Sequence, residues 1–184
     1  MTRFIYYTAS SLDGFLADEH DSLDWLTSQD IDQAGPMNYQ SFIAGIGAIV
    51  MGATTFQWLI DHHVSKGEKW FYSQPTYLFT HRTLTLPEPS IHIVSGAPAD
   101  HRADLTSAAD GRDVWIVGGG DLAAQFAAAG MLDEIVVSFA PVTLGAGRPL
   151  FTKRFDFELV EHDRNRAFLC ARYAVRGPRP LPPA

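Results

Sequence analysis

The chain has 184 residues, 46% of them hydrophobic and 19% charged, a composition that supports one buried core and excludes a disordered protein. Fourteen Lys and Arg stand against 21 Asp and Glu, a formal charge of -7. That excludes the basic face needed for nonspecific binding to nucleic acid or an anionic membrane. The one cysteine, Cys170, excludes both an intramolecular disulfide framework and a multi-cysteine zinc site.

Taken in chain order, Met1–Ser10 lacks the basic and apolar blocks of a signal peptide, so a reducing, cytoplasmic protein is expected. Arg3–Ala9 alternates and is rich in β-branched and aromatic residues, which predicts a strand. Ser10–Trp25, with Asp13-Gly14 and several acids, predicts a long mobile surface loop. Asp32–Ala44 carries Met37, Phe42 and Ile43 at helical spacing and predicts a helix. A short buried strand over Gly45–Met51 is then followed by Gly52 and a helix through Thr54–Ile60.

Beyond residue 75 strand and helix alternate more plainly. Short strands are predicted at Thr76–Thr80, Ile91–Val94 and Val114–Val117. After Gly118-Gly119-Gly120 comes an alanine-rich helix, Leu122–Ala129, with Gly130 in the stop position. Leu132–Ala140, Phe155–His162 and Ala167–Val175 predict longer closing strands. No apolar run approaches the about 20 residues of a membrane helix. The order implies an α/β fold, a mixed and mostly parallel central sheet flanked by helices. One domain over residues 1–176 is expected, with a proline-rich tail at 177–184.

The strand–glycine–helix segment at Val117–Leu122 is the most informative. Glycine lets a backbone approach a ligand closely, and the free N–H groups of a helix start attract a pyrophosphate. Gly118-x-Gly120-x-x-Ala123 also meets the looser dinucleotide fingerprint. It sits too late for a doubly wound domain, however, and Asp133 and Glu134 fall at the start of the next strand, where no ribose reader belongs.

Other residue patterns lead to bland readings. The seven histidines include the adjacent pair His62-His63 but none at helical ligand spacing with a third ligand close by, so no metal is expected. The four tryptophans are candidate core or pocket-wall residues. There is no Gly-x-Ser-x-Gly elbow and no zinc-deaminase signature.

Several segments together resemble the dihydrofolate reductase superfamily. They are Val50-Met51-Gly52-Ala53-Thr54-Thr55-Phe56, Phe79-Thr80-His81-Arg82 and Trp115-Ile116-Val117-Gly118-Gly119-Gly120. Ser11-Leu12-Asp13-Gly14-Phe15-Leu16-Ala17-Asp18, with Gly130–Glu134 and Pro141–Phe151, is similar to the branch typified by the reductase domain of riboflavin biosynthesis. The resemblance spans residues 3 to 175. It implies a dihydrofolate-reductase-like fold and an NADPH-dependent oxidoreductase that reduces a small heterocyclic or sugar-linked C=N or C=O group.

Carried over residue by residue, the resemblance gives Gly52, Thr54 and Thr55 to the cofactor phosphates. Val117, Gly118, Gly119, Gly120, Asp121 and Leu122 go to the diphosphate. Thr80, His81 and Arg82 face the 2′-phosphate, with Ser95 and Gly96 nearby. Ala9, Asp13, Gly14 and Leu16 border the nicotinamide. Ala53 stands where dihydrofolate reductases carry arginine, and no Lys or Arg occurs between Arg3 and Lys66, so the positive partner of the 2′-phosphate must come later in the chain.

The proton donor is sought among carboxyls. Asp32 is the nearest counterpart of the family's carboxylate, with Asp13 second. Two roles stay open for Asp32: a donor whose pKa is raised by apolar walls such as Trp25, Met37 and Phe42, or a cap for the following helix. Two rival functions also remain, a noncatalytic nucleotide-binding protein and a non-redox α/β enzyme holding a phosphorylated metabolite. A homodimer is expected from the riboflavin branch, through apolar strand surface between residues 132 and 175.

Overall fold

The computed structural model describes residues 1–181. Its centre is an eight-stranded sheet made by β1 (Phe4–Ser10), β3 (Ile46–Gly52), β4 (Thr76–Phe79), β5 (Ile91–Val94), β6 (Asp113–Gly118), β7 (Glu134–Phe139), β9 (Phe155–Asn165) and β10 (Phe168–Pro178). The spatial order is β5-β4-β3-β6-β1-β7-β10-β9. From β5 to β7 all pairings are parallel, and β10 runs antiparallel to both neighbours. The register sets Ile5 between Trp115 and Glu134, so the parallel strands end together on one side.

Each face of the sheet carries its own core. On one, α4 (Arg102–Ala109) and α5 (Gly120–Ala128) bury Leu105, Ala109, Leu122 and Phe126 against Phe4, Tyr6, Val50, Val114 and Ile116. On the other, α2 (Tyr39–Ala44) and α3 (Ala53–His62) pack Phe42, Ile43, Phe56 and Leu59 against Ile49, Met51 and Trp115. Covered on both sides, β3 is buried from Ile46 to Met51, which is why it reads as one apolar run without alternation.

Four expectations need correction. The helix read from Asp32 begins only at Tyr39. Asp32 closes a local turn, its carboxylate accepting the Ala34 N–H at 3.0 Å and its carbonyl the Gly35 N–H. Met37 then adopts a left-handed φ of 51°, a conformation no helix contains. Asn38 is the cap, its Oδ1 accepting the Ser41 N–H at 2.9 Å. Asp32 therefore does not cap the helix.

The second correction concerns residues 10–25. They do not form one free loop, because they hold β2 (Phe15–Ala17), paired with β8 (Arg148–Pro149), and the short α1 (Asp24–Thr27). Third, α4 is an addition to the predicted elements. Its buried face is Leu105 with the small Ala109, which gives little apolar periodicity to read. Last, β10 continues two residues into the segment read as tail. Gly177 and Pro178 pair with Asp156 and Phe155, and the Arg179 N–H donates to the Arg154 carbonyl. Residues 182–184 of that segment lie outside the described residues.

Candidate functional site

The carboxyl ends of β3 and β6 lie side by side, since Met51 pairs with Gly118. Each strand runs straight into a helix whose cap is a glycine. Gly52 caps α3 and Gly119 caps α5, both with extended backbone and neither with a side-chain cap bond. The first N–H groups of two helices thus start close together with no side chain capping either, the arrangement that suits a phosphate chain. Thr55 joins the two starts, its Oγ1 lying 3.4 Å from the position of a Cβ at Gly118. The Gly118–Gly119 peptide is cis.

The three glycines differ in what they permit. A Cβ built on Gly119 would have no atom within 4 Å, so its outer side is open. A Cβ on Gly120 would lie 2.2 Å from the Pro149 carbonyl oxygen and 2.6 Å from that of Leu150. Gly120 is therefore required by the packing of α5 against Pro149, the last residue of β8, and Leu150. Of the other residues assigned to the diphosphate, Leu122 buries its side chain in the core, and only its backbone is left to serve the site. Asp121 turns its carboxylate to Thr152 Oγ1 at 3.2 Å and Gln125 Nε2 at 2.7 Å. Val117 is half-buried at the end of β6.

On one side of the two helix starts lie the ends of β4 and β5. Thr80 continues β4, its N–H donating to the Val94 carbonyl, and its hydroxyl accepts the Arg82 N–H at 3.0 Å. That turn leaves the His81 and Arg82 side chains exposed. Ser95 and Gly96 follow β5 as its neighbours. The Ser95 carbonyl takes the His101 ring at 2.8 Å, which brings a further imidazole to the same edge.

The other side is made by the end of β1 and the segment that follows it. Ala9 and Leu16 are half-buried, Leu16 packing against the core. Asp13 is exposed but heavily bonded. It accepts the Ser11 hydroxyl at 2.6 Å, the Leu144 N–H at 3.1 Å and the Gly145 N–H at 2.8 Å. The Ser11 hydroxyl, ahead of the two N–H groups, holds this carboxyl below the ordinary aspartate range. A group held ionised in this way is poorly suited to give up a proton.

Asp32 is also exposed. The expected apolar walls lie elsewhere: Trp25 and Met37 pack with Phe168 and Cys170, and Phe42 stacks on Tyr7 at 4.1 Å. The side facing α2 is thus aromatic. Tyr7, with its phenol pushed up to about 12 by burial, donates to the Met37 carbonyl at 2.9 Å, while Trp115 donates to the Tyr7 carbonyl.

Three residues that position these segments gave no signal in the sequence. Asn165, 1% exposed at the tip of the β9–β10 hairpin, accepts the Asp32 N–H and donates to the Asp32 and Pro36 carbonyls. Asp21 and Arg148 form a two-bond ion pair at 2.6 and 2.9 Å. Each of these contacts joins positions more than 120 residues apart, a juxtaposition that local pattern cannot carry. Among the described residues no group of three His, Cys, Asp or Glu is placed to hold a metal ion.

Known proteins share this architecture. The structure of a putative riboflavin biosynthesis protein from Shewanella sp. PV-4 superposes with a TM-score of 0.81 at 25% identity, covering 95% of this chain and 99% of that one. Dihydrofolate reductase from Enterococcus faecalis, solved with NADP(H), superposes with a TM-score of 0.61 at 13% identity, covering 94% and 96%. An uncharacterized Bacillus subtilis protein, YwjB, is 30% identical over 151 residues, 81% of this chain and 82% of its own length. The fold is dihydrofolate-reductase-like. With residues 3–165 matching the family model of the RibD C-terminal domain, the chain belongs to that family.

Proposed function

We propose that the protein is an NADPH-dependent reductase of a small heterocyclic or sugar-linked C=N or C=O compound. The observation that carries this reading is the open cradle at Gly119, where a Cβ would find no neighbour and two glycine-capped helices start side by side. A space of that kind admits the backbone-to-diphosphate approach that any side chain would block. The chain's residues fit the cofactor. Gly52, Thr54 and Thr55 would hold phosphate on the α3 side, and the N–H groups of Gly119 to Leu122 would hold it on the α5 side. Thr80, His81, Arg82, Ser95 and Gly96 would face the 2′-phosphate, and Ala9, Gly14 and Leu16 the nicotinamide.

NADPH, when bound, would supply the hydride; the protein would orient it against the acceptor and exclude bulk water. With Asp13 bonded as a carboxylate and Asp32 in solvent, we assign the proton to a water at the acceptor heteroatom. A second reading, nucleotide binding without turnover, draws on the same lack of an enclosed acid. Turnover against pterins and pyrimidines separates the two.

Gly119→Val tests the cradle. The φ of -88° at Gly119 lies outside the left-handed region, and a Cβ there meets no atom within 4 Å beyond its chain neighbours, so valine adds bulk on the open side. NADPH affinity, read by fluorescence titration, should fall at least about tenfold, a loss of roughly 1.4 kcal/mol. The unfolding midpoint should stay within a few degrees. Unchanged affinity in the folded variant would remove the cradle from the site.

A further inference from the structure

An acceptor takes hydride only when it lies against the nicotinamide, so the residues beside Ala9 are the ones it would meet. Tyr7 and Ala9 are alternate positions of β1 and point to one face of the sheet. Ala9 pairs with Ser138 of β7, and Ser138 with Cys170 of β10, which continues that face toward the sheet edge. Over it stand Phe42, stacked on Tyr7 at 4.1 Å, and Met37, packed with Cys170 and Phe168. Phe42 is carried by α2, but Met37 ends a stretch, residues 30–37, that has neither helix nor strand.

That stretch is held from the tip of the β9–β10 hairpin. The Asn165 side chain, 1% exposed, accepts the Asp32 N–H through Oδ1 at 2.9 Å. Its Nδ2 donates to the Asp32 carbonyl at 3.0 Å and the Pro36 carbonyl at 3.4 Å. Gly35 lies so close to the same amide that a Cβ there would be 2.6 Å from Nδ2. Beside it the Ala167 N–H donates to the Asp30 carbonyl at 3.2 Å, and Arg166 pairs with Asp30 at 3.6 Å. At the other end the Tyr7 hydroxyl donates to the Met37 carbonyl at 2.9 Å, and Asn38 Nδ2 to the Gly35 carbonyl at 2.8 Å. Irregular backbone needs partners for its polar groups, and so does a buried amide. Each fixes the other.

We propose that Asn165 is a positioning residue for the acceptor: it holds residues 32–37 so that Met37, Tyr7 and Phe42 keep the surface on which the acceptor rests. The part concerning the acceptor rests on reading the protein as a reductase with the nicotinamide beside Ala9; the part concerning the stretch does not. The glycine cradle belongs to other elements, the starts of α3 and α5, so acceptor binding and cofactor binding should separate.

Two substitutions reach the contact from opposite sides. Asn165→Ala removes all three bonds. Gly35→Ala keeps Asn165 but presses a methyl group into its amide, at a backbone position outside the left-handed region. In each, amides of residues 32–37 in the free protein should exchange at least about tenfold faster, while those of β1, β3 and β6 keep their rates. With the fastest acceptor of a pterin and pyrimidine panel, KM should rise about tenfold while kcat stays within about threefold. The NADPH dissociation constant, read by fluorescence titration, should stay within about twofold. Asn165→Asp, which keeps the bond from the Asp32 N–H and loses the two donated ones, should fall between the alanine variant and the unsubstituted protein.

Faster exchange with an unchanged KM would overturn the role toward the acceptor. An equal loss of NADPH affinity would overturn it too, because a general loosening would then explain both. Unchanged exchange in both variants would overturn the fastening itself. Absence of turnover across the panel in the unsubstituted protein would overturn the reductase reading and the acceptor part with it, and the exchange result would still decide whether Asn165 holds the stretch.

Discussion

At the scale of single residues, charge and hydrogen bonding separate the groups that can act from those already committed. Arg82 extends from a turn fixed by Thr80, with no Lys or Arg between Arg3 and Lys66 to compete for a 2′-phosphate. A guanidinium–phosphate contact contributes about 1.5–3 kcal/mol, or roughly 10- to 100-fold in affinity. Arg82→Ala should weaken NADPH by that factor and leave NADH nearly unchanged; equal losses for both would return Arg82 to a solvated turn. Asp32 illustrates the opposite case. Asparagine keeps the oxygen that accepts the Ala34 N–H, so Asp32→Asn should retain NADPH binding and turnover at neutral pH. A tenfold or greater loss of turnover with normal binding would return the proton to Asp32.

At the scale of elements, position along the chain predicted the helices and strands that carry strong apolar runs, and missed those shaped by distant contacts. The helix after residue 32 is shortened by a left-handed Met37 and capped by Asn38. The preceding loop is held from the other end of the protein by the buried Asn165. The three bonds of this amide all go to the loop backbone, which satisfies polar atoms that burial of Asn165 would otherwise strand. In the same way β2 exists only because β8 lies opposite it, since a three-residue strand has no stability of its own. Asp13 and Asp21, legible as part of a solvated stretch, turn out to be fastenings, because their partners lie at residues 144–148.

On the scale of the whole molecule, the sheet ends in a long and poorly covered hairpin. β9 is an edge strand of 11 residues, and Leu159, Val160 and Leu169 are each at least half exposed. Near its tip Leu12, Phe139 and Leu169 line an apolar recess of about 370 Å³. Exposed apolar side chains at a sheet edge can attract another chain, and a homodimer, if formed, would cover them. Sedimentation velocity should show a species of twice 20.3 kDa, which Val160→Lys shifts toward the monomer. A wild-type monomer at high micromolar concentration would rule this surface out.

What the sequence by itself determined is the layered α/β architecture and the place of the glycine turn. Apolar periodicity and glycine chemistry are local properties, and residues 46–62 and 113–128 fold as their own patterns dictate. The open side of Gly119 and the crowded side of Gly120 were decided by tertiary structure alone, because only the approach of residues 149–150 tells two adjacent glycines apart. The state of the two candidate carboxyls was decided there too. The pKa of Asp13 depends on what surrounds it, and part of those surroundings comes from the far end of the chain; Asp32 is exposed, where an apolar wall was expected.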